Sequence, residues 1–262
     1  MNASRSKSST LDTIRNVPVR AALFDVGGTL VDRWLPREEI RVKLRSWAER
    51  ELGSTPWIHE LVDADVDGTI DVTAGEPFRQ RTALKLTAWF AERGFHLDAA
   101  AIERVRLALS PPLDEFGGLA HGAKDALRWC RENGMRVILV SNTFTRGDAE
   151  IARDDRRYGI EDLIDGVVTS LSAGWLKPHP AIFHRALELA GTSPAEAFMV
   201  GDRLDTDVAG ARGVGMRALL KLAGERDPRH DPAAGGAGTG EAVRPDGEFA
   251  SFEELPRIVS AW

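Results

Sequence analysis

The chain has 262 residues, of which 43% are apolar and 28% charged, with a formal net charge of −6. That length gives room for one large domain or two modest ones around a sizeable core, and the composition is ordinary for a globular protein. The acidic balance argues against nucleic acid or an anionic membrane as a partner, and no apolar run approaches the roughly 20 residues of a membrane span.

Residues 1–17 are polar, lack the apolar segment of a secretory signal and read as a flexible tail. The run Val19-Arg-Ala-Ala-Leu-Phe then reads as a strand ending on Asp25, with Gly27, Gly28 and Thr29 directly behind it. In open α/β sheets the carboxyl edge of the strands is where ligands bind. Gly27 and Gly28 allow close backbone approach, so main-chain N–H groups can face an anion there. An aspartate in that setting suits nucleophilic attack when a cation offsets the charge. A strand end whose carboxylate merely caps a helix is the plainer reading of the same residues.

Residues 33–117 read as almost wholly helical. Pro36 starts a helix with Glu38 and Glu39 in its first turn and an apolar stripe of Ile40, Leu44 and Trp47, stopped by Gly53. Pro77 starts a second, with Phe78, Leu86, Trp89 and Phe90 near one face and Gly94 at its end. Asp98 caps a third that carries Ile102, Val105 and Leu109 and stops at Ser110-Pro111-Pro112. The block reads as an all-α domain inserted after the first strand. Within it, Asp63–Asp71 matches the first nine positions of an EF-hand loop, but position twelve is Ala74 and Glu76 comes two residues late. A Ca²⁺ loop and an acidic turn both fit.

From 118 onward helices and strands alternate. A helix over about 120–133 precedes the strand Met135–Val140, which ends in Ser141-Asn142-Thr143. A polar helical stretch leads to a short strand near 166–169. The turn Gly174-Trp-Leu-Lys177-Pro-His-Pro180 opens a helix with Ile182, Ala186 and Leu189. Ala197–Val200 is a strand ending in Gly201-Asp202, and Met216–Leu220 is another. Residues 224–247 are rich in Gly, Ala and Pro and read as a flexible loop. The pattern predicts an α/β fold, a doubly wound, mostly parallel, Rossmann-like sheet built from 18–32 and 118–262, with the helical domain of 33–117 inserted. Cys130, the single cysteine, excludes an internal disulfide, fits a reducing cytoplasm and lies on an apolar helical stripe.

The strand ends bring Asp25, Ser141, Asp202 and Asp207 to one edge, with Lys177 from a neighbouring loop. Two carboxylates, a hydroxyl and an ammonium make a minimal kit for phosphoryl transfer. Phe-Asp25-Val-Gly-Gly-Thr-Leu, Leu-Val-Ser141-Asn-Thr, Lys177-Pro-His-Pro and Val-Gly-Asp202-Arg-Leu-Asp-Thr-Asp207, in that order, resemble the motifs of the haloacid dehalogenase superfamily. The resemblance spans about 19–222. It implies Asp25 as the nucleophile, forming a phospho-aspartate, with Ser141 and the Asn142 amide on the phosphoryl group and Gly28 at the substrate. It implies Lys177 as the neutralising cation, and Mg²⁺ held by Asp25, the Gly27 carbonyl and Asp202. Asp207 would support the metal-bound water or Lys177, and 33–117 would be a helical cap of the C1 type. The implied partner is a small phosphorylated metabolite, acted on by a monomer or homodimer.

One departure stands out. Phosphatases of this superfamily usually carry an aspartate as general acid and base where this chain has Gly27. Good leaving groups, another proton donor, or feeble catalysis would each follow. Dehalogenases of the superfamily lack the metal carboxylate, which Asp202 supplies here, and carry a tyrosine at the position where this chain has Gly27. Phosphonatases need a cap lysine, for which Lys43 and Lys85 are the candidates. A non-catalytic binding protein is the remaining alternative. His179, beside Lys177, could face the crevice or the surface, and Trp34 and Trp175 adjoin active-site loops.

Overall fold

The computed structural model describes residues 17–70, 81–222 and 243–262. Six strands form one wholly parallel sheet: β1 (Ala21–Phe24), β4 (Arg136–Ser141), β5 (Gly166–Thr169), β6 (Ala197–Gly201), β7 (Arg217–Lys221) and β8 (Gly247–Phe249), in the order β5-β4-β1-β6-β7-β8. All four residues of β1 are buried, as a parallel strand covered on both faces requires. Ala22 and Phe24 face a cluster with Leu127, Phe249 and Phe252, while Ala21 and Leu23 pack with Ile182, Phe183 and Ala186 on the other side. The chain runs from β1 to β4 on one flank and later crosses to β6 on the other, so the strand order reverses at β1. That reversal opens a crevice at the carboxyl end of β1, directly above Asp25. The α/β, doubly wound sheet expected from the sequence is present.

The insert begins and ends on a two-stranded antiparallel ribbon, β2 (Val31–Trp34) and β3 (Gly117–Leu119), with Trp34 opposite Gly117 and Arg33 opposite Gly118. Residues 33, 34 and 117, expected in an all-helical block, are therefore strand. Between them lie α1 (Arg37–Leu52), α2 (Ile58–Val66), α3 (Arg81–Glu92) and α4 (Ala99–Ala108). On α1 the buried stripe is Ile40, Leu44 and Ala48, with Trp47 only half-buried. Asp98 caps α4 by accepting from the Ala101 amide at 2.7 Å, as its position predicts. On α3 Leu86, Trp89 and Phe90 are buried, and Phe90 meets Trp57 edge-on at 4.8 Å; Pro77 and Phe78 lie outside the described residues.

Helix α2 corrects the Ca²⁺-loop expectation, because Asp63 and Asp65 stand on a helix instead of a loop. Their neighbourhood is cationic: Arg41 reaches Asp63 at 2.9 Å and Asp67 at 2.8 Å, and Arg45 also reaches Asp63. The Arg41 contacts hold the Asp67 carboxyl below its ordinary range. Asp71, Ala74 and Glu76 lie outside the described residues.

After β3 come α5 (Ala123–Glu132), α6 (Asp148–Tyr158), the single turn α7 (Ser170–Ala173), α8 (Pro180–Ala190), α9 (Ala209–Gly213) and α10 (Leu255–Val259). Leu189, expected on the buried face of α8, is exposed, and Phe183 and Leu187 take its place. Cys130 packs in the core, where burial pushes its thiol up to about 12. The Gly/Ala-rich stretch lies outside the described residues up to 242, but its end is ordered. Asp246 donates its amide to Ala218 O at 2.8 Å and leads into β8, so 247 belongs to a strand and not to the expected loop. Among the described residues no helix is long and apolar enough to cross a membrane.

The return of the insert is tied to the segment that follows β4. The buried Arg146 donates to Pro111 O at 2.5 Å and pairs with the buried Asp154 at 3.3 Å, while Arg153 donates to Ser110 O at 3.0 Å. Thr82 on α3 donates to Phe144 O at 2.5 Å, and Arg106 on α4 holds Thr145 O and Glu150. The helical layer is thus fastened to the segment from Phe144 to Asp154, which begins three residues beyond Ser141.

Candidate active site

Asp25 leaves the end of β1 with its amide donated to Val200 O at 2.9 Å, which anchors it to β6. Its carboxylate is nearly buried and held at both oxygens. Lys177 Nζ donates to Oδ1 at 2.6 Å, and Thr29 Oγ1 donates to Oδ2 at 3.1 Å. The same ammonium lies 2.7 Å from Asp207 Oδ1 and donates to Val140 O at 2.8 Å. Burial alone would lower the Lys177 ammonium, but facing Asp207 and Asp25 it stands above the ordinary lysine range. Burial is also the largest influence on Asp207 and pushes its carboxyl above the ordinary range, although Lys177 opposes the shift.

Each partner is placed by a separate device. Asn142 clamps the peptide of Lys177 from both sides: its Oδ1 accepts from the Lys177 amide at 2.7 Å, and its Nδ2 donates to the Lys177 carbonyl at 3.1 Å. Ser141 ends β4 beside β1, and its hydroxyl bonds to none of the described residues. Asp207 sits on the π-helical turn Leu204–Val208 and accepts from the Arg203 amide at 3.1 Å. Asp202, half-buried, extends from β6 toward the turn after Asp25. There Thr29 Oγ1 lies 3.4 Å from its Oδ1.

The two glycines of that turn differ. Gly28 has φ +83°, and a Cβ built on it would stand 2.6 Å from Asp202 Oδ2, so only glycine lets the turn pass over that carboxylate. Its N–H, expected to face an anion, donates to Val31 O at 2.8 Å. The Gly27 N–H donates to none of the described residues, and Gly27 is exposed. A Cβ on Gly27 would meet only Trp34 Cζ2, at 4.0 Å. Trp34 does adjoin the site, as its position predicts. Trp175 instead stacks on the ring of His179 at 3.7 Å, and His179 Nδ1 accepts from the Ala181 amide as the cap of α8.

Carboxylate oxygens of Asp25, Asp202 and Asp207 lie within 4.8 Å of one another. Three carboxylates at that spacing form an all-oxygen donor set, which suits a hard divalent cation. The residues present therefore fit Mg²⁺. Two contributors escaped sequence reasoning. Thr29 bridges Asp25 and Asp202, and its place directly after the two glycines was the available signal. Gly201 admits Asp207, since a Cβ there would lie 2.3 Å from Asp207 Cγ; nothing in the sequence marks it.

A family model for haloacid dehalogenase-like hydrolases matches residues 19–215. Haloacid dehalogenase-like hydrolase domain-containing protein 3 of Bos taurus is 43% identical over 99 residues, 38% of this chain and 38% of that protein. The glyceraldehyde 3-phosphate phosphatase of Pyrococcus furiosus is 44% identical over 96 residues, 37% of this chain and 38% of the relative. The matched stretch thus spans less than two-fifths of the length of either protein. In fold, the crystal structure of a HAD phosphatase from Thermococcus onnurineus superposes with a TM-score of 0.57 at 23% identity, covering 93% of this chain and 99% of that one. The order of elements, the acidic edge above β1 and the family match agree, and the chain belongs to the haloacid dehalogenase-like hydrolase family.

Proposed function

We propose that this hydrolase is a Mg²⁺-dependent phosphatase that acts on a small phosphorylated metabolite through a phospho-Asp25 intermediate. The observation that carries the reading is the convergence of Asp25, Asp202 and Asp207 within 4.8 Å around the buried Lys177. The phosphatase relative adds support at the level of sequence.

In this reading Asp25 attacks phosphorus through one carboxylate oxygen, the P–O bond to the leaving group breaks, and the leaving oxygen takes a proton. Water then attacks the acyl phosphate, releasing inorganic phosphate and restoring the carboxylate. Lys177 pairs with Asp25 and offsets the charge of the phosphate. The Ser141 hydroxyl and the amides of Asn142 and Gly27 hold the equatorial oxygens. Asp25, Asp202 and the Gly27 carbonyl would hold Mg²⁺, which would supply charge stabilisation at the transferring phosphoryl group. Asp207 supports Lys177, and helices α1–α4 form the cap that selects the substrate. Gly27 has no side chain to protonate the leaving group, so good leaving groups are favoured: acyl, anomeric or aryl phosphates. The same proposal places the protein in the cytoplasm.

Asp202 argues against the dehalogenase alternative, and of the two lysines that a phosphonatase could use, Lys43 is engaged at Glu115 O at 3.1 Å. The test is a phosphate-ester panel assayed with and without Mg²⁺, beside Asp25→Asn. Mg²⁺-dependent turnover that vanishes in the variant supports the reading. Absence of turnover, or activity that survives Asp25→Asn, refutes it and favours a non-catalytic binding protein or another hydrolase chemistry.

A further inference from the structure

A second buried lysine stands at the sheet edge outside the group described above. Lys221 ends β7, one residue beyond Leu220, which pairs with Gly201 at the end of β6 just before Asp202. Its side chain is 2% exposed. Nζ lies 2.8 Å from Asp32 Oδ2 on β2 and donates to the Gly28 carbonyl at 3.3 Å. A buried charge pair is a poor device for stability alone, because apolar residues of similar volume often serve as well or better. Its geometry gives it another task.

Of the two peptide planes flanking Gly28, this ammonium holds one directly and reaches the other only through Asp32. The Gly28 carbonyl is held directly, which sets the plane shared with Thr29. The other plane, shared by the Gly27 carbonyl and the Gly28 amide, is set by the Gly28 N–H to Val31 O bond at 2.8 Å. Val31 adjoins Asp32 on β2, the residue that Lys221 grips. Gly28 meanwhile passes so close to Asp202 that no Cβ fits.

We propose that Lys221 is a positioning residue: by gripping the Gly28 carbonyl and Asp32 together, it holds the Gly27–Gly28 turn over Asp202 and aims the Gly27 amide and carbonyl into the site. The inference rests on the phosphatase reading for its kinetic consequence, but the positional claim concerns the unliganded chain. Lys221 acts through Gly28 and Gly27 and touches no reacting atom.

The test compares the 262-residue chain with Lys221→Met and with Lys221→Met/Asp32→Asn, which removes the carboxylate that the single variant strands. Three readouts are taken: kcat and KM on the best ester of the panel, thermal unfolding, and amide hydrogen exchange of residues 26–31 without metal. The expected result for Lys221→Met is a kcat lowered about 10–100-fold with KM changed less than about threefold. The double variant recovers the unfolding temperature but not kcat, and exchange in 26–31 stays faster than in the parent. A double variant with parental kcat and parental exchange overturns the proposal and leaves Lys221 a structural residue. If the parent hydrolyses no ester, the phosphatase reading fails by itself. The exchange data then decide the positional claim, and unchanged exchange in both variants overturns it.

Discussion

Restoring a carboxyl group at Gly27 gives a sharp prediction. The site has room for it: a Cβ at that position meets only Trp34 Cζ2 at 4.0 Å, and positive φ in the turn is confined to Gly28. Gly27→Asp therefore places an acid and base beside Asp25 without displacing Asp202 or Thr29. General acid–base catalysis is worth about 10²–10⁴ in rate, or about 3–5 kcal/mol of barrier. The benefit falls where the leaving oxygen is basic. We expect kcat/KM for alkyl phosphates to rise within that range in Gly27→Asp, while aryl phosphates gain less than about tenfold. The assay is phosphate release at saturating Mg²⁺ over a series of esters graded by leaving-group pKa, parent against variant. The parent should show a steep dependence on leaving-group pKa and the variant a shallow one. An equal gain on all esters, or no gain on alkyl esters while Mg²⁺ binding is kept, would refute the view that Gly27 removes the proton donor.

Three further outcomes follow from the same coordinates. Gly28→Ala sets a methyl 2.6 Å from Asp202 Oδ2 at φ +83°, so Mg²⁺ affinity by calorimetry should fall at least about tenfold; retained affinity would contradict the close approach. Asp154→Ala removes the carboxylate of the buried pair with Arg146 and should cost about 3–5 kcal/mol in urea denaturation, whereas a cost below about 1 kcal/mol would show that the pair does not fasten the insert. Asp155 is pushed up to about 7, first by burial and then by Asp154 and Glu161. The folded chain binds that proton more tightly than the unfolded chain, so the contribution is complete below about pH 4 and is lost as pH rises through 7. Asp155→Asn should thus match the parent near pH 4 and exceed it at pH 8 by up to about 4 kcal/mol; a pH-independent difference would refute the shift.

The residues at the strand ends were legible because an apolar run that stops on a single polar residue is a local signal. Asp25, Ser141 and Asp202 each follow such a run, and the structure brings them to one edge with Lys177 and Asp207. The ribbon of β2 and β3 was not legible, because Gly117 and Gly118 carry no side chains to alternate. They are glycines for contact, since a Cβ on Gly117 would lie 2.9 Å from Val31 Cγ1. Helix α2 was hidden by its acids, which suggest a turn until Arg41 and Arg45 are seen across from them. Strand β8 was hidden by the Gly/Ala-rich stretch before it. Lys221 owes its importance to Gly28 and Asp32, distant in sequence, and Gly201 to the fold of the turn that brings Asp207 back over it; no local pattern encodes either.

The most direct test of the central claim is to trap the intermediate. The parent is mixed with Mg²⁺ and the best ester of the panel, quenched in acid within one turnover, digested, and its peptides are weighed. The account predicts one added phosphoryl group on the peptide carrying Asp25, absent from Asp25→Asn and absent without Mg²⁺. Turnover without that adduct, or an adduct on another residue, would contradict Asp25 as the nucleophile.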